Sequence, residues 1–164
     1  MNNEYLEDIF IKEISDNKGI IHKVCNVYCN NSEEKKDMMQ EITLQLWKSF
    51  PNFSRKSTFS TWMYRIALNT AITNIRKSKN SPILESLSEK QNTLIEKEDL
   101  PNMDEEINKL YKAIAKLNEI EKGIILLYLE KKTYTEIGEI TGLSEKNISV
   151  KIVRIKSKLK KLLS

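Results

Sequence analysis

The sequence predicts an all-α protein: two small helical domains joined by a flexible acidic linker, the C-terminal one containing a helix-turn-helix. Three observations lead there. The 164 residues include only 4 Gly and 3 Pro, and apolar residues recur at three- and four-residue spacing with little strand-like alternation. The segment Ser81 to Met103, with Pro82, Pro101 and many Ser, Asn and Glu, breaks that period and has the composition of a tether. Beyond it, the run YTEIGEITGLSEKNI over 134–148 has the spacing of two short helices about a glycine turn. The predicted units are 1–80, a linker over 81–103, and 104–164.

Taken in order, Glu4 to Ser15 and Ile20 to Cys29 read as helices. Asp37 to Phe50 follows, with Met39, Ile42, Leu46 and Phe50 on one face. Asn52 to Ser57 is polar and basic after Pro51 and reads as a loop. A long helix from Thr58 to Lys77 starts behind a Thr58 or Ser57 cap. After the linker, Asp104 to Lys116, Glu119 to Glu130, Tyr134 to Thr141 and Glu145 to Leu162 read as four short helices. Each half is small for a self-sufficient core, so partner binding is expected to help hold it.

Composition excludes several classes. Apolar residues make up 40% of the chain, yet the longest apolar run, Ile124 to Leu129, is far short of the roughly 20 residues of a spanning helix. The N-terminus lacks a basic head followed by an apolar stretch. No membrane insertion and a cytoplasmic location are expected. Cys25, Cys29 and the single histidine, His22, share a helical face at i, i+3 and i+7. A closed zinc site takes four ligands, so this face is read as packed core and no metal or other cofactor is expected. No triad, phosphate loop or paired-carboxylate spacing stands out, so the protein is not read as an enzyme.

Net charge is +4, but unevenly spread: residues 1–53 sum to −3, 54–80 to +6, 81–106 to −6, 107–144 to +1 and 145–164 to +6. Two basic blocks around an acidic segment point to two separate nucleic-acid contacts. In the first block, Arg55, Lys56, Arg65, Arg76 and Lys77 sit among Phe53, Phe59 and Trp62. Cations hold phosphate without regard to sequence, whereas flat rings stack on exposed bases, a pairing suited to strands being opened. Trp62, by its spacing from Ile66 and Asn69, is read as core packing.

In the second block, small Gly138 lets two helices approach, Gly142 supplies the left-handed turn and Ser144 caps the second helix. Ile148, Ile152, Ile155, Leu159 and Leu162 form its inward stripe. Lys146, Asn147, Ser149 and Lys151 are placed to meet base edges in a major groove. Arg154, Lys156 and Lys158 are placed for phosphates.

The run DMMQEITLQLW over 37–47 and the run STFSTWMYRIALNTAITNIRK over 57–77 resemble, respectively, the clamp-binding helix and the −10-melting segment of bacterial sigma factors. Residues 117–160 resemble the −35-reading domain, so the likeness covers about 35–162 and is to the small extracytoplasmic function (ECF) class. The resemblance implies a dissociable specificity subunit that binds core RNA polymerase and promoter DNA, opposed by an anti-sigma factor. It assigns core binding to Asp37, Gln40, Glu41, Leu44 and Trp47. It assigns −10 recognition to Phe53, Arg55, Lys56, Phe59, Arg65, Asn69, Thr73, Arg76 and Lys77. It assigns −35 recognition to Lys146, Asn147, Ser149, Lys151, Arg154 and Lys158. It further implies that the loop over 52–57 captures a flipped base, and that the acidic linker, with Glu85, Glu89, Glu96, Glu98 and Asp99, threads a basic channel of the polymerase. Many relatives carry aspartate where Thr73 stands and arginine where Gly123 stands. The alternatives from the residues alone are a free-standing helix-turn-helix regulator, which leaves Gln40, Glu41 and the aromatic-basic helix idle, and a DNA-processing enzyme, for which Ser54, Ser57 and Ser60 lack a supporting constellation.

Overall fold

A computed structural model describes residues 3–80 and 96–164. Among them are eight α-helices, one 3-10 turn and no strand. The helices are α1 (Asn3–Asp16), α2 (Lys18–Tyr28), α3 (Ser32–Ser49), α4 (Phe59–Asn80), α5 (Glu105–Ile114), α6 (Glu119–Leu129), α7 (Tyr134–Thr141) and α8 (Glu145–Leu163). The 3-10 turn, Phe50–Asn52, carries Pro51 where no amide donor is needed. Residues 81–95 of the tether expected over 81–103, with Glu85 and Glu89, lie outside the described residues.

In the first half, α4 packs on both α2 and α3, burying Val24, Ile42, Leu46, Met63 and Ala67 completely or nearly so. α3 begins five residues earlier than its apolar period indicates. Asn31 caps it through the Glu34 amide at 2.9 Å, and the Glu34 carboxylate accepts from the Asn30 amide at 2.7 Å. That reciprocal arrangement satisfies amides that a helix start otherwise leaves bare.

In the second half, α8 packs on α5, α6 and α7. Ile124, Leu127, Ile137, Ile148, Ile152 and Ile155 are essentially inaccessible, each worth about 1.5–3 kcal/mol of transfer free energy. Two capping boxes fix the starts of α6 (Asn118 with Glu121) and α7 (Thr133 with Glu136). The inward stripe of α8 ends at Leu159; Leu162, expected to continue it, lies in the last turn of the helix and is 41% exposed.

The halves do not stand apart. α2 packs on α6 and α4 packs on α7, and one continuous apolar cluster runs through both. The Tyr28 hydroxyl donates to the Glu119 carbonyl at 2.6 Å, and Lys23 pairs with Glu130 at 2.6 Å. Gly123 sits at this seam. A Cβ there would lie 3.1 Å from the Tyr28 hydroxyl and 3.7 Å from the Leu68 methyls. The glycine is thus a close-approach residue, which offsets its intrinsic helix cost of about 1 kcal/mol. Each half uses the other to cover apolar surface that neither can bury alone.

The C-terminal end of the acidic segment is docked. Lys97 is buried and its ammonium donates to the Cys29 carbonyl; the Glu98 amide donates to the Asn30 carbonyl at 2.8 Å, and Asp99 pairs with Lys112 at 2.5 Å. Burial lowers the Lys97 ammonium to about 8. Cys25 and Cys29 are buried thiols, as read from the sequence, whereas His22 is exposed. Among the described residues no group of three or more His, Cys, Asp or Glu is placed to hold a metal ion.

Candidate nucleic-acid interface and partner groove

The first candidate surface is made by the loop after Phe53 and the exposed side of α4. Thr58 caps α4, accepting from the Thr61 amide at 3.1 Å. Arg65, Asn69, Thr73 and Arg76 are exposed and, at 100° per residue, fall on one line along the helix. Lys77 flanks that line, also exposed. The line carries cations at both ends and short polar side chains between them, a pattern that meets a phosphate rail and reaches groove edges.

Beside it, Phe53, Phe59 and Trp62 form a cluster with ring centroids 5.0–5.7 Å apart, Phe53 standing at 89° to Phe59. Phe50 backs the group, 6.2 Å from Trp62. Phe53 and Phe59 are half-buried by this packing and support the loop. Trp62, read as core, is also only half-buried and lines a cleft of about 560 Å³ with Asn52, Phe53, Ser54, Lys56, Ser57, Arg65 and Ile66. A flat ring at the wall of a polar, cationic cleft is the arrangement that stacks an unpaired base. Arg55 lies over the Phe53 ring at 5.9 Å, in a left-handed backbone conformation, φ 59°. That is uncommon for a residue with a Cβ and here aims the guanidinium back across the loop.

The second half sits against this cleft. Glu139 of α7 lines the same cleft, and its carbonyl accepts from the Arg65 guanidinium at 2.6 and 3.2 Å. Lys132 donates to the Ser60 hydroxyl at 2.9 Å and lies 5.5 Å over the Tyr64 ring. Arg65 is therefore engaged within the protein rather than held free for nucleic acid.

The second candidate surface is α8. Gly142 turns the chain at φ 81°, and a Cβ on Gly138 would lie 2.8 Å from the Leu143 carbonyl oxygen. These two glycines set the angle between α7 and α8. Ser144 caps α8, accepting from the Asn147 amide at 3.2 Å. Lys146, Asn147, Ser149 and Arg154 project into solvent and Lys151 is half-buried. Lys158 is turned to the protein, pairing with Glu121 at 2.6 Å. Burial works against ionisation of Glu121, but the hydrogen bond and charge of Lys158, with the Asn118 amide, hold its carboxyl below the usual range. Lys156 lies 4.3 Å over the Tyr128 ring.

A third surface is an apolar groove of about 680 Å³ between α1 and α3, lined by Glu7, Phe10, Ile11, Met39, Gln40, Thr43, Leu44 and Trp47. Phe10 packs on Trp47 at 5.1 Å and on Phe50 at 5.3 Å. Ile11, Leu44 and Trp47 are 56%, 44% and 38% exposed, a contiguous apolar strip of the kind that marks a protein-binding site. Gln40, Leu44 and Trp47 thus come together in one groove. Asp37 and Glu41 are not part of its lining, and Glu41 accepts from Gln45 at 3.0 Å. The share of α1 in this groove was not read from the sequence, although outward Ile11 beside inward Phe10 is its signature.

A helix-turn-helix, an aromatic-basic cleft and a separate exposed apolar groove on one chain fit the class of a DNA-recognition subunit of a larger machine. Residues 14–81 match the family described as Sigma-70 region 2, and residues 107–159 match Sigma-70, region 4. The chain is 29% identical over 168 residues to the ECF RNA polymerase sigma factor SigW of Bacillus subtilis, covering 96% of this chain and 90% of the relative. It is 27% identical over 146 residues to the RNA polymerase sigma factor SigV of the same organism, covering 86% and 82%. Its fold matches the sigma factor RpoE of Bartonella quintana, solved with the anti-sigma factor NepR, with a TM-score of 0.73 at 15% identity, over 96% of this chain and 97% of that one. The protein belongs to the sigma-70 family and is a sigma factor of the ECF type. It is accordingly a promoter-recognising, non-enzymatic subunit of RNA polymerase. No helix among the described residues is long and apolar enough to cross a membrane.

Proposed function

We propose that this sigma factor divides initiation among its three surfaces. The α1/α3 groove seats the polymerase clamp, with Gln40, Leu44 and Trp47 at its centre and Asp37 and Glu41 on its flank. The α4 line, Arg65, Asn69, Thr73 and Arg76 with Lys77, tracks the upstream edge of the −10 element. Lys56, Arg55 and Trp62 receive the unpaired base, with Phe53 and Phe59 holding the cleft open. Stacking worth about 1–3 kcal/mol offsets part of the few kcal/mol that extruding a base costs. α8 reads the −35 duplex through Lys146, Asn147, Ser149, Lys151 and Arg154, while Lys158 holds α6 in place. The functional units are 1–80 and 104–164, spanned by 81–103, which the acidic segment suits to a basic channel.

The observation that carries this reading is the pairing of a cationic aromatic cleft with a separate helix-turn-helix in one chain. A free-standing regulator accounts for the second and leaves the first unused. Because α7 lies on the cleft and Arg65 is engaged by Glu139, −10 binding requires the halves to separate. Docking of the clamp and of the polymerase flap supplies the free energy. An anti-sigma protein covering the α1/α3 groove is the expected regulator, in keeping with the fold shared with a sigma factor solved beside one. The site of action is the cytoplasm.

The test is to add the purified protein to bacterial core RNA polymerase with fragmented host DNA and to sequence transcript 5′ ends. Discrete core-dependent starts that share two upstream motifs are expected. Tight duplex binding by the protein alone, with no core-dependent start, would overturn the reading.

A further inference from the structure

The recognition helix carries an apolar pair that none of these roles uses. Val150 and Val153 are 43% and 67% exposed, on the side of α8 away from buried Ile148, Ile152, Ile155 and Leu159. At 100° per residue they fall on one strip with Lys146, and Arg154 lies along its edge. A single exposed apolar residue is ordinary. Two β-branched residues at i and i+3, in the middle of a cationic helix face, are not favoured by helix propensity, which prefers lysine, glutamate or alanine at such positions.

We infer that Val150 and Val153 read thymine 5-methyl groups in the −35 element. In the major groove only thymine presents a methyl, and it is recognised by apolar contact. The charge around the pair selects this occupant: Lys146, Asn147, Lys151 and Arg154 surround it and suit a phosphate-walled groove rather than an apolar protein face. The spacing agrees. Three residues of helix rise about 4.5 Å, between one and two base steps of roughly 3.4 Å, so the methyls belong to thymines one or two positions apart. The inference rests on the −35 role proposed above for α8 and adds the base class that it selects.

The test uses holoenzyme and a promoter found by start-site mapping, with each −35 thymine replaced in turn by deoxyuridine, which removes only the methyl. At one or two positions the substitution is expected to weaken binding about fourfold, the worth of one buried methyl. In Val150→Ser/Val153→Ser, and in Val150→Gln/Val153→Gln, which present no methyl group to the groove, that thymine–uracil ratio is expected to shrink toward unity with the thermal melt little changed. A −35 element without thymine, or an equal thymine–uracil ratio in wild type and variants, would overturn the inference. So would loss of core-polymerase affinity in the variants with the ratio intact, which would assign the pair to a protein contact. Absence of any core-dependent start would overturn instead the reading on which it rests.

Discussion

The two halves of the molecule solve one problem differently. The last four helices are fixed locally: Asp104, Asn118, Thr133 and Ser144 each cap a helix by accepting an amide, and two of those caps are reciprocal boxes. Among the first four, α3 and α4 are capped by Asn31 and Thr58, but α2 has no side-chain cap and leans on tertiary packing. α2 and α4 show no such box, and their functional face is completed by loop geometry, with a left-handed Arg55 and stacked rings. In the proposed function, the locally specified half reads duplex DNA, and the half that leans on packing carries the cleft that receives an unpaired base. The seam between the halves, where Gly123 meets Tyr28, couples the two.

The contrast can be broken most severely at Gly138. A Cβ 2.8 Å from a backbone carbonyl forces α7 and α8 apart, so Gly138→Val should cost about 1–3 kcal/mol and abolish −35 binding. The α1/α3 groove should still bind core polymerase. A thermal melt with a core-binding assay checks this; simultaneous loss of core binding would mean that the halves fold as one unit.

Next in size is the seam. Gly123→Arg brings a Cβ to 3.1 Å from the Tyr28 hydroxyl and a charged chain into a buried seam, so the halves should separate while helix content is retained. Small-angle scattering should register a larger radius of gyration, and an unchanged radius would show that the seam tolerates the side chain. The milder Tyr28→Phe removes only the hydroxyl bond to Glu119, worth about 1 kcal/mol, and should lower the unfolding free energy by that amount without opening the molecule.

The smallest effect concerns pH. Glu121 accepts from both Asn118 and Lys158, and its folded carboxyl ionises below its ordinary value of 4.5. Its contribution to stability is therefore complete above pH 4.5 and lost as pH falls through the lowered folded value. Below pH 4.5 the wild type should lose stability faster than Glu121→Gln in parallel denaturation curves. Equal slopes would remove the Lys158 pair from the account.

The same contrast explains what was legible in the chain. The helix-turn-helix was readable because Gly138, Gly142 and Ser144 each perform a local task that only their residue type performs well. The start of α3 was misplaced because Asn31 and Glu34 are polar and carry no apolar period, though their spacing is that of a cap. Lys158 looked like one more phosphate contact, since its partner Glu121 lies 37 residues away and no local rule joins them. The packing of the halves was hidden for the same reason. Its trace was the run Ile124 to Leu129, apolar on every side of a helix, which a small free-standing unit has no means of covering alone. Gly123, an apparent defect inside a helix, is the residue that lets Tyr28 and Leu68 approach α6 at this seam.

The central claim is that α4 opens promoter DNA while the α1/α3 groove holds the polymerase. It is tested most directly by permanganate reactivity of promoter thymines in holoenzyme made with Arg65→Ala/Arg76→Ala. The account predicts that the variant binds core polymerase and protects the −35 element like the wild type, yet leaves the −10 thymines unreactive. Loss of core binding in step with loss of opening would contradict it.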